Sequence, residues 1–198
     1  MSEKVNTKIY MLRDEGDVFS IYSEDFEEGK EIPKQCGYKH GNKPPRLNFK
    51  NIPKDTVSLA LIMDDPDAMG AVGKVWVHWL GCNMLPIESS WADDSPKNPQ
   101  QKSEMNLSKQ ELEAHLKYKP PGPDMGVGEL FATRGKTDFG EISYGGPAPP
   151  DKRHTYVFKA YALDTTLDLN EGYSKQELED AMKDHIIAEA KLTGTFAP

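Results

Sequence analysis

Hydrophobic and polar positions alternate with a period of two through much of the chain, as strands with at least one face in a core require. The alternation predicts strands at residues 18–23, 47–50, 57–63, 75–80 and 155–163. In the third, Val57, Leu59, Leu61 and Met63 share one face while Ala60 and Ile62 keep the other apolar. Such a strand belongs at the centre of a sheet, covered on both sides. Ala190, Leu192, Gly194 and Phe196 alternate in a last short strand. Turn chemistry separates these runs: Gly41-Asn42-Lys43-Pro44-Pro45, Asp65-Pro66-Asp67 and Gly145-Gly146-Pro147-Ala148-Pro149-Pro150.

The period changes in two places. Ser174-Lys175-Gln176-Glu177 is a capping box, with Tyr173 and Leu178 spaced as a hydrophobic staple. Leu178, Met182 and Ile186 follow at helical spacing, which predicts a helix of about three turns near the C-terminal end, docked on the sheet. Ser108-Lys109-Gln110-Glu111 repeats the device, with Leu107 and Leu112 as staple, and Pro120-Pro121 ends that second helix. The helix lies in a stretch, about 91–135, rich in Pro, Ser, Gly, Lys and Asn, which reads as an inserted loop. The expectation is one mainly β domain over 1–198, with a C-terminal helix and an inserted helix-containing loop at about 91–135.

Composition narrows the partners. Lys plus Arg number 24 against 32 Asp plus Glu, a formal charge of −8, and no basic run interrupts that field. Nucleic acid is disfavoured as a partner, as is a peripheral home on acidic lipid. A pocket's local dipoles can still oppose the global field. The N-terminal residues carry no hydrophobic signal core, and no apolar run approaches the ~20 residues of a membrane span, so the expected address is the cytoplasm, with no membrane insertion. Cys36 and Cys82 form neither a disulfide framework nor a zinc or Cys-x-x-Cys motif, and bystander roles are expected for both.

Two constellations carry candidate chemistry. The first is Asp64-Asp65-Pro66-Asp67-Ala68, followed by Trp76-Val77-His78-Trp79-Leu80. Pro66 pushes Asp65 into extended backbone, ending the strand so that Asp65 and Asp67 are aimed differently. His78 falls in an apolar strand on the same face as Trp76 and Leu80, and if buried it needs a polar partner. The second is Tyr144 through Pro150, then Arg153-His154-Thr155-Tyr156. His154 and Tyr156 are two apart at the head of a strand and share a face that Phe158 and Ala160 continue inward. Gly146-Pro147 gives a backbone that a ligand can approach closely. Taken singly, a surface turn, a satisfied core histidine and a proline-rich connector explain these residues as well.

Together they resemble the phosphatidylethanolamine-binding protein family, which includes the Raf kinase inhibitor proteins and small bacterial and archaeal relatives. The resemblance rests on Asp65-Pro66-Asp67-Ala68, Val77-His78-Trp79, Asp138-Phe139-Gly140, Tyr144-Gly145-Gly146-Pro147, Pro149-Pro150, His154 and Tyr156, in order along nearly the whole chain. It implies a β fold in which a large antiparallel sheet packs on a smaller one, with a C-terminal helix and an anion-binding pocket at one end of the large sheet. The implied pocket residues are Asp65, Asp67, His78, Gly146, Pro147, His154 and Tyr156. Backbone N–H groups around Gly146 and the two imidazoles would donate to an anion, with Asp65 orienting a histidine. Val77 stands where many eukaryotic relatives have a second histidine, and Met69 replaces a proline often found there.

The resulting expectation is a non-enzymatic binding or regulatory protein for a small anionic ligand or a phosphorylated partner, modulating a kinase or protease. It calls for no cofactor, no catalytic residue and no metal. The alternative is a hydrolase or metal-dependent enzyme using Asp65, Asp67, His78 and His154, although no ligand spacing or nucleophile elbow supports it. A third reading makes the 91–135 stretch a protein-docking element. His40, His115 and His185 are assigned surface or packing roles, the first in a turn and the others on helices.

Overall fold

The computed structural model describes residues 18–86 and 133–198. Its strands are β1 (Ser20–Ser23), β2 (Leu47–Lys50), β3 (Ser58–Asp65), β4 (Trp76–Met84), β5 (Thr133–Arg134), β6 (His154–Leu163) and β7 (Ile186–Phe196). A short helix α1 (Ala68–Val72) follows β3, and α2 (Lys175–Met182) precedes β7. The strands form an antiparallel pair, β1-β2, and a five-stranded antiparallel sheet in the order β5-β4-β3-β6-β7. The protein is mainly β, with two sheets and a helix near the C-terminal end.

The double-sided apolar pattern of β3 is explained by its place. It is the middle strand, and all eight of its residues are buried. Leu59, Leu61 and Met63 face the small sheet, where they meet Phe19, Ile21, Leu47 and Phe49 together with Phe158 and Leu192. Ala60 and Ile62 face the opposite layer, with Leu80, Leu163, Leu178 and Met182. The large sheet is therefore sandwiched between the small sheet and α2. Truncating one such leucine is expected to cost about 2–5 kcal/mol.

The capping box forms as the sequence predicts. Ser174 Oγ accepts the Glu177 N–H at 3.3 Å, while Glu177 Oε2 accepts the Ser174 N–H at 2.7 Å. The helix, however, has eight residues and ends at Met182, short of the three turns expected. Asp184 adopts a left-handed conformation (φ 68°), and Ile186 begins β7, paired with Leu163 and about 39% exposed. The four-residue spacing from Met182 to Ile186 matched a helix by coincidence. His185 accordingly lies in the turn rather than on a helix, with Nδ1 2.8 Å from Asp164 Oδ1.

One further boundary differs from expectation. Residues 133–135, assigned to the insertion, belong to the core: β5 pairs with Gly81 and Cys82, and the Gly135 N–H donates to the Leu80 carbonyl. The predicted helix at 108–116, and His115 on it, lie outside the described residues. Among the described residues, no helix is long and apolar enough to cross a membrane.

Candidate functional site

Asp64 and Asp65 end β3 side by side, and strand alternation sends their side chains to opposite faces. Asp64 points toward α2, where its Oδ2 receives Lys159 at 2.7 Å and Lys175 at 2.8 Å. Asp65 points to the other side, buried and 3% exposed. Its Oδ1 accepts the Ala68 N–H at 3.0 Å, fixing the turn that Pro66 forces. Its Oδ2 is thereby aimed at the head of β6, where it lies 2.7 Å from His154 Nδ1. Asp67 completes the clamp from outside, accepting the Thr155 N–H at 2.8 Å.

His78 reaches the same spot through an irregularity in β4. Met63 pairs with Trp79, but the next residue, Asp64, pairs with Val77, so His78 is an extra residue in the ladder. A bulge of this kind puts two successive side chains on one face. His78 and Trp79 both face the Asp65 side, while Leu80 packs in the opposite layer. The expectation that His78 shares a face with Trp76 and Leu80 holds for Trp76, whose ring meets Phe139 as that of His78 does, and fails for Leu80.

The two imidazoles are in opposite electrostatic states. His78 Nδ1 lies 2.6 Å from the Gly145 carbonyl, which accepts and so requires a proton on that nitrogen. Burial lowers the pKa of His78, more than the Gly145 carbonyl and Asp65 raise it. The ring is therefore neutral, and its Nε2, 4.0 Å from Asp65 Oδ2, is a lone-pair acceptor. At His154 burial also works to lower the pKa, but two carboxylates outweigh it and the net shift is upward. Nδ1 faces Asp65, and Nε2 faces Asp151 Oδ1 at 2.9 Å. With a carboxylate at each nitrogen, the charged imidazolium form of His154 is favoured, and both of its N–H groups are then engaged.

Tyr156 lies between the histidines, its ring edge-on to His78 at 5.1 Å between centroids. Its hydroxyl is buried with no partner in hydrogen-bonding geometry, although the Asp65 carboxylate and the Ala148 N–H lie near enough to act on it. Burial, then the Asp65 carboxylate, push its pKa upward, so the phenol keeps its proton.

The glycine-proline loop is held by close packing. A Cβ on Gly146 would lie 2.0 Å from the Cys36 carbonyl oxygen and 2.8 Å from the Tyr38 nitrogen. The Gly146 N–H, expected to face a ligand, donates instead to Asn42 Oδ1 at 2.7 Å, and the Gly145 N–H donates to the His78 carbonyl at 2.8 Å. The Pro147 carbonyl accepts the Tyr38 N–H at 3.0 Å. A cavity of about 240 Å³ opens beside this loop, lined by Pro147 to Pro150 with Lys39, His40 and Phe196.

The structure thus brings Asp65, His78, His154 and Tyr156 into one buried cluster, sets Asp67 behind it as a brace, and places Gly146 and Pro147 in the adjoining wall. Sequence reasoning missed Asp151 and Asn42. Asp151 stands three residues before His154 after two prolines, a spacing that could have drawn attention; Asn42 read as turn chemistry alone. Among the described residues, no group of three or more His, Cys, Asp or Glu side chains is arranged to hold a metal ion. Cys36 and Cys82 are buried free thiols, and burial pushes both pKa values up, that of Cys36 to about 11.

A family model described as phosphatidylethanolamine-binding protein matches residues 22–130 and 126–197. The chain is 35% identical over 178 residues to a UPF0098 protein of Chlamydia muridarum, covering 89% of this chain and 97% of that one. It is 33% identical over 192 residues to a UPF0098 protein of Methanothermobacter thermautotrophicus, covering 97% and 98%. A crystal structure of a proposed phosphatidylethanolamine-binding protein homolog from Chlamydia trachomatis superposes with a TM-score of 0.68 at 32% identity, covering 90% of this chain and 97% of that one. The E. coli protein YbcL shares the fold, with a TM-score of 0.64 at 22% identity, covering 90% and 97%. By sequence and by fold, with its Asp-Pro-Asp turn and its two histidines gathered at one end of the large sheet, the chain belongs to the phosphatidylethanolamine-binding protein family, alongside bacterial and archaeal relatives.

Proposed function

We propose that this protein is a non-enzymatic binding and regulatory module whose site around Asp65, His78, Gly146, Pro147, His154 and Tyr156 takes a phosphate-like group or a phosphorylated head group. The observation that carries the reading is the buried His154–Asp65 pair beside the unpartnered hydroxyl of Tyr156. A buried hydroxyl without a partner is costly unless something else completes it. The protonated phenol gives an oxyanion a donor, and His154, on the same face of β6 and raised in pKa by its carboxylates, adds positive charge beside it. The neutral His78 adds an acceptor, which suits an anion that carries a proton of its own.

The test is thermal protection by inorganic phosphate and by phosphoethanolamine. A ligand at a hundred times its Kd stabilises the folded state by about 2.7 kcal/mol, a readily measured rise in Tm. His154→Ala is expected to abolish the rise. The reading is lost if no saturable binding of either probe occurs at neutral pH in any folded form of the protein. The same preparations, screened for phosphatase and esterase turnover, separate a binding module from an enzyme: turnover lost in His78→Ala would establish the enzyme.

A further inference from the structure

The outward nitrogen of His154 is already occupied. His154 is buried to 1% exposure, yet its Nε2 meets the carboxylate of Asp151, a side chain half exposed to solvent. Asp65 holds the inner nitrogen and is itself buried. One imidazolium therefore sits between two carboxylates, one fixed and one free to leave. Asp65 is fixed by the Ala68 N–H and by its place at the end of the central strand. Asp151 reaches His154 from the bend that precedes β6, and a side-chain rotation takes it into water.

Three nearby donors are already paired. Asn42 takes the Gly146 N–H, the His78 carbonyl takes the Gly145 N–H, and the Gly145 carbonyl takes the Nδ1–H of His78. An incoming oxyanion thus finds the Tyr156 hydroxyl, an acceptor nitrogen on His78, and an imidazolium N–H covered by a carboxylate. Two anions cannot share that N–H, because one N–H has room for one close acceptor and like charges at contact repel.

We propose that Asp151 is a built-in competitor for the site: its carboxylate occupies the Nε2–H of His154, and a bound oxyanion takes its place. The proposal rests on the anion-binding reading above and adds a specificity-determining residue to it. Asp151 sets a threshold that an oxyanion must exceed, so the site discriminates against weak acceptors and keeps His154 charged while empty. Binding releases Asp151 to the surface, where its carboxylate changes the face seen by a partner.

The test is calorimetric titration with inorganic phosphate on the full chain. Asp151→Ala is expected to bind phosphate at least ten-fold more tightly than wild type, and adding His154→Ala to it is expected to cancel the gain. Glu189→Gln removes one exposed charge from the far end of the β6–β7 pair and is expected to leave affinity unchanged. Equal or weaker phosphate binding by Asp151→Ala overturns the competitor role, and so does an equal gain in Glu189→Gln. In either case the anion site itself stands if wild-type binding still needs His154. Should no folded form bind phosphate, the site reading falls with it. A second measurement needs no variant: on saturating wild type with phosphate, the Asp151 carboxyl carbon resonance is expected to move to its free-carboxylate position, and a resonance that stays put overturns the proposal.

Discussion

His78 and His154 share a site but titrate in opposite senses, so their effects on stability take opposite slopes. His78 is held below its ordinary 6.5 by burial. Below about pH 6.5 the unfolded chain takes up a proton there that the folded chain refuses, and stability falls with falling pH. His154 is raised, its two carboxylates outweighing burial. Its contribution is complete below its unfolded value and is lost as pH rises through the folded one. Thermal melts between about pH 5 and 8 are expected to show both limbs. His78→Gln flattens the acid limb, and His154→Gln flattens the limb on the other side. Gly146 tests the wall: Gly146→Ala places a methyl 2.0 Å from a backbone oxygen and is expected to cost at least ~2–3 kcal/mol in denaturant unfolding. At this scale the sequence was legible for the residues of the cluster but not for their protonation. Which nitrogen of His78 carries the proton depends on the Gly145 carbonyl, 67 residues away. Asp151, which covers the outer nitrogen of His154, is local in sequence yet looks like any surface aspartate.

Individual elements follow local chemistry where local chemistry is strong. The capping box of α2 is the clearest case, and Ser174→Ala is expected to destabilise the protein by about 1 kcal/mol. The substitution removes a bond at the start of the helix and leaves Leu178 and Met182 in the core, so the anion site should be unaffected. The double apolar faces of β3 were equally legible, because only the middle strand of a covered sheet needs them. The end of α2 was not, since Ile186 sits at a helical interval from Met182 while the backbone turns at Asp184. Nor was β5, two residues long, whose role comes from pairing with Gly81 and Cys82 rather than from any pattern of its own. The bulge at His78 escaped for the same reason: register belongs to the pair of strands, and one strand's sequence does not state it.

For the molecule as a whole, the negative field works against its own proposed ligand. With a net charge of −8, the surface repels an approaching phosphate before the site can attract it. Salt screens that repulsion, the Debye length shrinking from ~30 Å at 0.01 M to ~8 Å at 0.15 M. The association rate for a phosphomonoester is therefore expected to rise with added salt, opposite to the behaviour of a basic anion receptor; stopped-flow measurement across that range checks the sign.

The surplus residue in β4 carries a consequence for heredity. Deleting His78 would bring Val77 and Trp79 into consecutive register opposite Asp64 and Met63, giving a more regular ladder. Such a deletion is expected to fold and to bind nothing. The deletion also removes both hydrogen bonds between His78 and Gly145, so the loop that walls the site loses its tie to β4. A relative with an even strand here is expected to lack both that tie and the histidine of the site.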